Sequence, residues 1–174
     1  MKAFFMRLSF LAMAALGMAL VSSASASAAP SGAPTISETS APPIATPYPD
    51  SSVARQQVQD AFVTARRTHR KVLLDFGGNW CPDCKMLGGI FALPDAKAWL
   101  DSQFVIVTVN VGRINTNLDL ASQYGVTITA VPTVIIVTPD GHALNQDGSR
   151  ALGDARSMSP QAVLDLIAEW NSRG

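Results

Sequence analysis

The chain has 174 residues, 48% of them hydrophobic, and its 13 basic side chains balance 13 acidic ones. This length suits one globular domain with additional terminal segments. The neutral charge balance gives no reason to expect binding to nucleic acids or to anionic membranes.

The N-terminus has the pattern of a secretory signal peptide, which we predict over residues 1–28. Lys2 and Arg7 carry the positive charge at its start, residues 8–21 are almost wholly apolar, and small residues of the A-x-A type follow. The apolar stretch is about 14 residues long, shorter than the roughly 20 that span a bilayer, so cleavage is favoured over an uncleaved membrane anchor. We therefore expect an exported protein, located in the periplasm.

Proline, serine, alanine and threonine dominate residues 29–52, where six prolines occur. Because this composition offers little apolar surface to bury, it predicts an extended, disordered linker. The folded domain is then predicted over residues 53–174.

Helical and strand patterns alternate within this domain. Helices are predicted over 53–69, 81–90, 94–100, 118–124 and 159–171, and strands over 71–76, 104–111, 131–137 and 142–145. Gly88 and Gly89 predict an early break or kink in the second helix. Together the elements indicate an α/β fold in which helices cover both faces of a small mixed sheet.

Both cysteines of the chain lie in the segment Trp80-Cys81-Pro82-Asp83-Cys84-Lys85, at the predicted start of a helix. Free backbone N–H groups and the positive end of a helix favour a thiolate there. A structural disulfide would close only a very short loop and contribute little stability. A zinc site normally takes four protein ligands, and neither a second cysteine pair nor a nearby histidine is available. The pattern favours a redox-active dithiol that forms and breaks a Cys81–Cys84 disulfide.

Five motifs follow one another in a fixed order: Asp75-Phe76, Trp80 to Lys85, Tyr124-Gly125-Val126, Val131-Pro132-Thr133 and Pro139-Asp140-Gly141. This series resembles the thioredoxin family over nearly all of residues 53–174. The resemblance implies a thioredoxin-like fold, with a mixed sheet of about four strands flanked by helices. It also implies a protein-disulfide oxidoreductase that uses no cofactor and no metal.

The resemblance further implies roles for individual residues. Cys81 would be the exposed nucleophile and Cys84, more buried, would resolve the mixed disulfide. Pro132 would follow a cis peptide bond beside the dithiol, although base rates for an isolated X-Pro bond favour trans. Val131 would offer its backbone to an extended partner segment. The expected substrate-binding residues are Trp80, Pro82, Asp83, Val131 and Pro132.

Asp75 is expected to be a buried carboxyl below the dithiol. Burial in so apolar a run would raise the pKa of Asp75, which suits a group that takes and returns the proton of Cys84. The alternative is an aspartate at a strand edge that faces water. Typical thioredoxins pair this carboxyl with a lysine, and the nearest match here is Thr108.

The residues around the cysteines also bear on redox poise. A carboxylate at Asp83 would disfavour a thiolate at Cys81, with Lys85 offsetting it in part, so we expect a poise close to that of reducing family members.

The expected partners are proteins with disulfides and a membrane thiol electron donor, with no nucleic acid, and the expected state is a monomer. Two alternatives stay open. In one, a groove beside Pro132 binds a partner and the cysteines stay oxidised. In the other, Cys81 and Cys84 bind Cu(I), with Met86 the only further soft ligand nearby.

Overall fold

A computed structural model describes residues 32–174. The predicted signal peptide and the first residues of the predicted linker lie outside this range. A mixed sheet of three strands lies at the centre: β1 (Lys71–Gly77), β2 (Phe104–Asn110) and β3 (Thr133–Val137). The strand order is β2-β1-β3, with β1 parallel to β2 and antiparallel to β3. The α/β class and the thioredoxin-like arrangement are as predicted.

Within residues 32–174, five α-helices surround this sheet. They are α1 (Ala54–Thr68), α2 (Pro82–Phe91), α3 (Pro94–Gln103), α4 (Asp119–Ser122) and α5 (Pro160–Asn171). Proline stands at the start of α2, α3 and α5, where its missing N–H costs no helical hydrogen bond. None of the helices within residues 32–174 has the length and apolar character needed to cross a membrane.

Alternating side chains of the strands divide the core between the two faces of the sheet. On one face Leu73 and Ile136 pack with α2, α3 and α5, including Trp99 and Trp170. On the other face apolar residues of the same strands pack with α1 and α4. The sheet is therefore buried on both faces, which holds the carboxyl end of β1 firmly at the start of α2.

The predicted fourth strand is wrong. Within residues 32–174 the pairing at that place is one isolated bridge between Val137 and Ala143. Instead, the buried side chain of Asn145 hydrogen-bonds to backbone groups at the outer edge of β3. Its Oδ1 accepts from the Ile136 N–H at 2.9 Å, and its Nδ2 donates to the Val134 carbonyl at 2.9 Å. Because one amide satisfies both backbone groups, a fourth strand is not needed there.

Residues 32–50, which we call the N-terminal strap, correct the predicted disordered linker. The strap is extended and has no helix or strand, but Ile36, Ala41 and Tyr48 are buried against the domain. The Ile44 N–H donates to the Lys85 carbonyl at 3.0 Å. The composition predicts that this segment does not fold alone, and three of its apolar side chains are buried on a surface that the domain supplies.

The expected break at Gly88 and Gly89 is also wrong, because α2 continues through both to Phe91. The glycines instead allow the strap to approach. A Cβ on Gly89 would lie 2.1 Å from the Pro42 carbonyl oxygen, and one on Gly88 would lie 3.0 Å from Pro47 Cβ. The pair of glycines thus marks the crossing of backbone over helix.

Candidate active site

The two cysteines lie at the first turn of α2. Cys81 is the N-cap residue, and its Sγ accepts from the Cys84 N–H at 3.2 Å. Both thiols are free. A sulfur that receives a backbone N–H at a helix start is well placed to carry negative charge.

The expectation of an exposed Cys81 is wrong for this structure, since the residue is only 4% exposed. Its Sγ lies 3.6 Å from the Val131 carbonyl oxygen, to which the thiol donates. Tyr48 of the strap lies in one buried cluster with the two cysteines, and Val131 packs against this cluster. Cys84 is 0% exposed, so the predicted order of burial holds although the difference is small.

The Val131–Pro132 peptide bond is cis, as the resemblance implies. Pro132 is buried, and β3 begins at the next residue. The Thr133 hydroxyl donates to the Ala130 carbonyl at 2.8 Å, which ties the turn before the strand. This segment places the Val131 carbonyl next to Cys81.

Trp80 is 40% exposed and lies on the loop between β1 and α2. Its indole N–H donates to the Gly112 carbonyl, and the Arg113 guanidinium lies 5.2 Å from the centroid of the ring. An exposed aromatic ring with a cation over it is well placed to contact another molecule. Trp80 therefore lies at the solvent-facing rim of the dithiol.

Asp83, by contrast, is buried and turned toward the segment Ala155–Ser157. Its Oδ1 accepts from the Arg156 N–H at 3.0 Å and from the Arg156 Nε at 3.1 Å. The guanidinium thus compensates the charge that the sequence places beside Cys81. Because its charge is paired with Arg156, the Asp83 carboxylate alone no longer argues for a reducing potential. Its contact with Arg156 connects α2 to the segment Ala155–Ser157.

Asp75 lies in β1 between Thr108 of β2 and Val134 of β3, and it is 1% exposed. The alternative of an aspartate facing water is therefore ruled out. Burial raises the pKa of Asp75 to about 7, and a hydrogen bond from Tyr48 opposes this shift in part. The Thr108 hydroxyl donates to the Pro47 carbonyl in the strap at 3.1 Å.

Tyr48 is the partner of Asp75. Its hydroxyl lies 2.9 Å from each carboxylate oxygen, and the residue is 3% exposed. Burial, followed by the nearby Asp75 and Cys84, raises the pKa of Tyr48 well above its usual range. Burial likewise raises the pKa of Cys84. Tyr48, Asp75 and Cys84 thus form a cluster of three titratable groups that is shielded from water.

Comparison with known proteins agrees with this geometry. The family model of the thioredoxin-like domain matches residues 58–149. The chain belongs to the thioredoxin family. The match begins after the strap, so the family model does not include Tyr48.

This member of the thioredoxin family is similar to one solved structure and to two curated proteins. A solved structure, the disulphide isomerase from Xylella fastidiosa Temecula1, is 34% identical with a TM-score of 0.67, covering 71% of this chain and 95% of that one. A thioredoxin from Mycoplasmoides gallisepticum is 40% identical over 70 residues, 39% of this chain and 60% of that one. A thioredoxin-like protein from Fusarium culmorum is 36% identical over 62 residues, 36% and 47% of the two chains. The aligned regions therefore span about half of these two curated relatives.

Sequence reasoning misses Tyr48, because the composition of residues 29–52 predicts a linker. The signal that could have found it is an aromatic residue between Pro47 and Pro49 in a stretch otherwise poor in large side chains. Such a residue needs a hydrophobic contact to stay ordered. In this thioredoxin-family protein the phenol is the partner of Asp75, where typical members have a lysine.

Across residues 32–174, no three side chains of His, Cys, Asp or Glu come close enough together to hold a metal ion.

Proposed function

We propose that this thioredoxin-family protein is an exported thiol–disulfide oxidoreductase that reduces or isomerises disulfides of other proteins through Cys81 and Cys84. The observation that carries the proposal is the pair of free thiols at the start of α2, with the Cys84 N–H donating to Cys81 Sγ at 3.2 Å. A sulfur so placed is the attacking one, and a fully buried neighbour is the resolving one.

The reaction has two exchanges. In the first, the Cys81 thiolate attacks one sulfur of a partner disulfide, forming a Cys81–partner bond as the partner's own S–S bond breaks. In the second, Cys84 loses its proton and attacks Cys81 Sγ, and the partner leaves as a thiolate with both electrons. Burial raises the pKa of Cys84, so this second step needs a nearby proton acceptor. Asp75, with a pKa of about 7, is suited to that task.

Substrate recognition is proposed to use the backbone of Val131 and the side chains of Trp80, Pro82 and Pro132. The Val131 carbonyl already contacts the thiol of Cys81, so an arriving partner replaces that contact. A segment in extended conformation suits a chain lying beside the start of β3. Asp83 takes no part in this surface, because its carboxylate is engaged by Arg156.

The proposed location is the periplasm, after removal of residues 1–28. In an oxidising compartment a reductase or isomerase must be kept reduced, which implies a membrane thiol electron donor. Because the structurally similar protein from Xylella fastidiosa Temecula1 is a disulphide isomerase, isomerisation is one of the two activities to be tested.

The test is dithiothreitol-driven insulin reduction, run beside reactivation of scrambled ribonuclease. The wild-type protein is expected to accelerate insulin reduction, and Cys81→Ser is expected to lose this activity. Cys84→Ser is expected to keep the attack but stall at the mixed disulfide. A wild-type protein that binds insulin without turnover would support the non-enzymatic alternative and contradict the proposal.

A further inference from the structure

We propose that Tyr48 is a proton relay between Cys84 and Asp75, so that the N-terminal strap supplies a working group of the redox site. This inference rests on the proposed function, because it concerns the second exchange. It adds to that function a residue from outside the region that the thioredoxin-like family model matches.

The hydroxyl of Tyr48 lies where Asp75 and Cys84 come together. A Cβ on Gly77 would lie 2.2 Å from Tyr48 Oη and 2.9 Å from Cys84 Sγ, so both atoms lie beside the same glycine. Cys84 is accordingly among the groups that raise the pKa of Tyr48. The same Oη lies 2.9 Å from both oxygens of Asp75. A phenol has one proton to donate and lone pairs that accept. Tyr48 can therefore donate to the carboxylate while it accepts the proton of the Cys84 thiol.

Hydrogen bonds to its backbone hold Tyr48 in place from several sides. The Tyr48 N–H donates to Asn79 Oδ1 at 3.0 Å, and Asn79 Nδ2 donates to the Tyr48 carbonyl at 2.9 Å. On either side of it, Thr108 Oγ1 donates to the carbonyl of Pro47 at 3.1 Å and Asn110 Nδ2 to that of Pro49 at 2.8 Å. A group fixed by its own backbone is positioned before the reaction begins.

Water has little access to the three groups of the relay. Tyr48, Asp75 and Cys84 are 3%, 1% and 0% exposed. A proton leaving Cys84 therefore meets a protein group first.

Asp75 also lines a cleft of about 300 Å³ between the strap and β2, which Lys97 and Asp101 of α3 border as well. Neither cysteine lines this cleft, so it offers the carboxyl an exit for its proton that does not pass the dithiol.

The relay step conserves protons and electrons. Cys84 gives its thiol proton to Tyr48 Oη as Tyr48 gives its hydroxyl proton to the Asp75 carboxylate. The sulfur of Cys84 then bonds to Cys81 Sγ, and the bond between Cys81 and the partner breaks. The partner leaves as a thiolate, Tyr48 is again a neutral phenol, and Asp75 is a carboxylic acid. Reduction of the disulfide returns the proton by the reverse path.

The experiment separates the two exchanges with the aromatic disulfide dithiobis(nitrobenzoate). In stopped flow, the first equivalent of coloured thiolate reports attack by Cys81 and the second reports resolution by Cys84. Tyr48→Phe keeps the ring and removes the hydroxyl. We expect its second phase to slow by about 100-fold at neutral pH, within the range of general acid–base catalysis, with the first phase unchanged. The matched control is Tyr124→Phe, which removes the other tyrosine hydroxyl of the chain, at a ring stacked on Phe62.

A pH profile distinguishes a relay from a structural role. The titratable groups beside the hydroxyl are Asp75 from β1 and Cys84 from α2. Cys81 lies in the same buried cluster, and Lys97 and Asp101 are farther off at the cleft. In the wild type the second phase should rise with pH through the pKa of Asp75, because only the carboxylate accepts a proton. In Tyr48→Phe this rise should disappear and the rate should climb only in alkaline solution. An unchanged second phase with an unchanged profile would overturn the relay, even if the variant melts at a lower temperature.

A second measurement keeps the inference testable if Tyr48→Phe does not fold. The second phase of the wild type is followed in mixtures of light and heavy water. Two protons moving together predict a curved dependence on the deuterium fraction, whereas a linear dependence overturns the relay. Absence of any second equivalent from the wild type would instead contradict the proposed function, and the relay with it.

Discussion

The hydroxyl of Tyr48 lies 2.9 Å from both carboxylate oxygens of Asp75, although the two residues are 27 positions apart in the chain. A neutral phenol stabilises a carboxylate by hydrogen bonding but brings no positive charge. Burial therefore dominates, and it raises the pKa of Asp75 to about 7. The hydrogen bond from the strap thus limits the rise in the pKa of Asp75 that burial causes.

A stability profile against pH tests this environment. The folded-state pKa of Asp75 is about 7, above its ordinary value of 3.8, so the folded protein binds the proton more tightly than the unfolded chain. Stability should therefore fall as pH rises from 4 to 8, and Asp75→Asn should remove up to about 4 kcal/mol of that decline. Urea unfolding of the reduced proteins at several pH values provides the measurement.

The matched control for this profile is Asp119→Asn, which changes an exposed carboxylate. A hydrogen bond from Arg55 lowers the pKa of Asp119, which moves its titration away from the range in which Asp75 titrates. Between pH 5 and 8 the control should follow the wild type. Parallel curves for wild type and Asp75→Asn would show that Asp75 does not carry the proton.

Gly89→Ala tests whether the strap belongs to the folded unit. Alanine in a helix normally stabilises by up to about 1 kcal/mol relative to glycine. Here a Cβ would lie 2.1 Å from the Pro42 carbonyl oxygen, so the strap must lift and the variant should be less stable than wild type. Hydrogen exchange should show faster amide exchange around Ile44, whose N–H bonds the carbonyl of Lys85.

Gly88→Ala is the milder companion, because its Cβ would meet Pro47 Cβ at 3.0 Å rather than a carbonyl. Its effect should be smaller than that of Gly89→Ala. Stabilisation of the protein by Gly89→Ala, with exchange unchanged in the strap, would mean that the strap does not pack on α2.

The ion pair between Asp83 and Arg156 is expected to set part of the redox poise. The hydrogen bond to Asp83 and the charge of Asp83 raise the pKa of Arg156, with smaller contributions from Asp154 and Cys81, so the guanidinium lies within electrostatic reach of the attacking sulfur. Arg156→Gln should destabilise the thiolate and lower the reduction potential, by about 30 mV for a tenfold change in equilibrium constant. Equilibration with glutathione measures the potential.

The double variant completes this test. Asp83→Asn alone should raise the potential, and Asp83→Asn with Arg156→Gln should return it close to the wild-type value, because both charges are then absent. Equal reduction potentials for the wild type and both single variants would show that the ion pair between Asp83 and Arg156 does not influence the potential.

Much of the dithiol site could be predicted because its signals are local. Cys81 and Cys84 stand three positions apart after a buried strand, which places them at a helix start wherever that helix packs. Asp75 lies within the same apolar run, so its burial follows from the strand. The cis bond before Pro132 follows from the resemblance and not from the residues themselves.

The rest depends on contacts between segments distant in sequence, which local patterns do not carry. The composition of the strap predicts only that it does not fold alone, and it carries no information about the surface on which Tyr48 is buried. Glycine at position 89 lowers helix propensity whether the helix breaks there or another segment crosses it closely. The local sequence therefore does not distinguish the two cases. Asp83 and Arg156 are 73 residues apart, and one side chain, Asn145, replaces a strand whose sequence pattern is present.

Selective alkylation tests the difference between the two thiols. Burial raises the pKa of Cys84 and the residue is fully covered, so iodoacetamide should modify Cys81 first in the folded, reduced protein. Peptide mass spectrometry locates the label. Denaturation should then expose Cys84 to the same reagent, and equal labelling of both cysteines in the folded protein would contradict the assignment of roles.

The most direct test of thiol exchange is the capture of a mixed disulfide. Each single serine variant is incubated with a peptide that contains a disulfide, quenched with acid and weighed by mass spectrometry. Cys84→Ser should carry the peptide on Cys81 in nearly all molecules, whereas Cys81→Ser should remain unmodified. Capture by Cys81→Ser, or by neither variant, would contradict the role of Cys81 as the attacking sulfur.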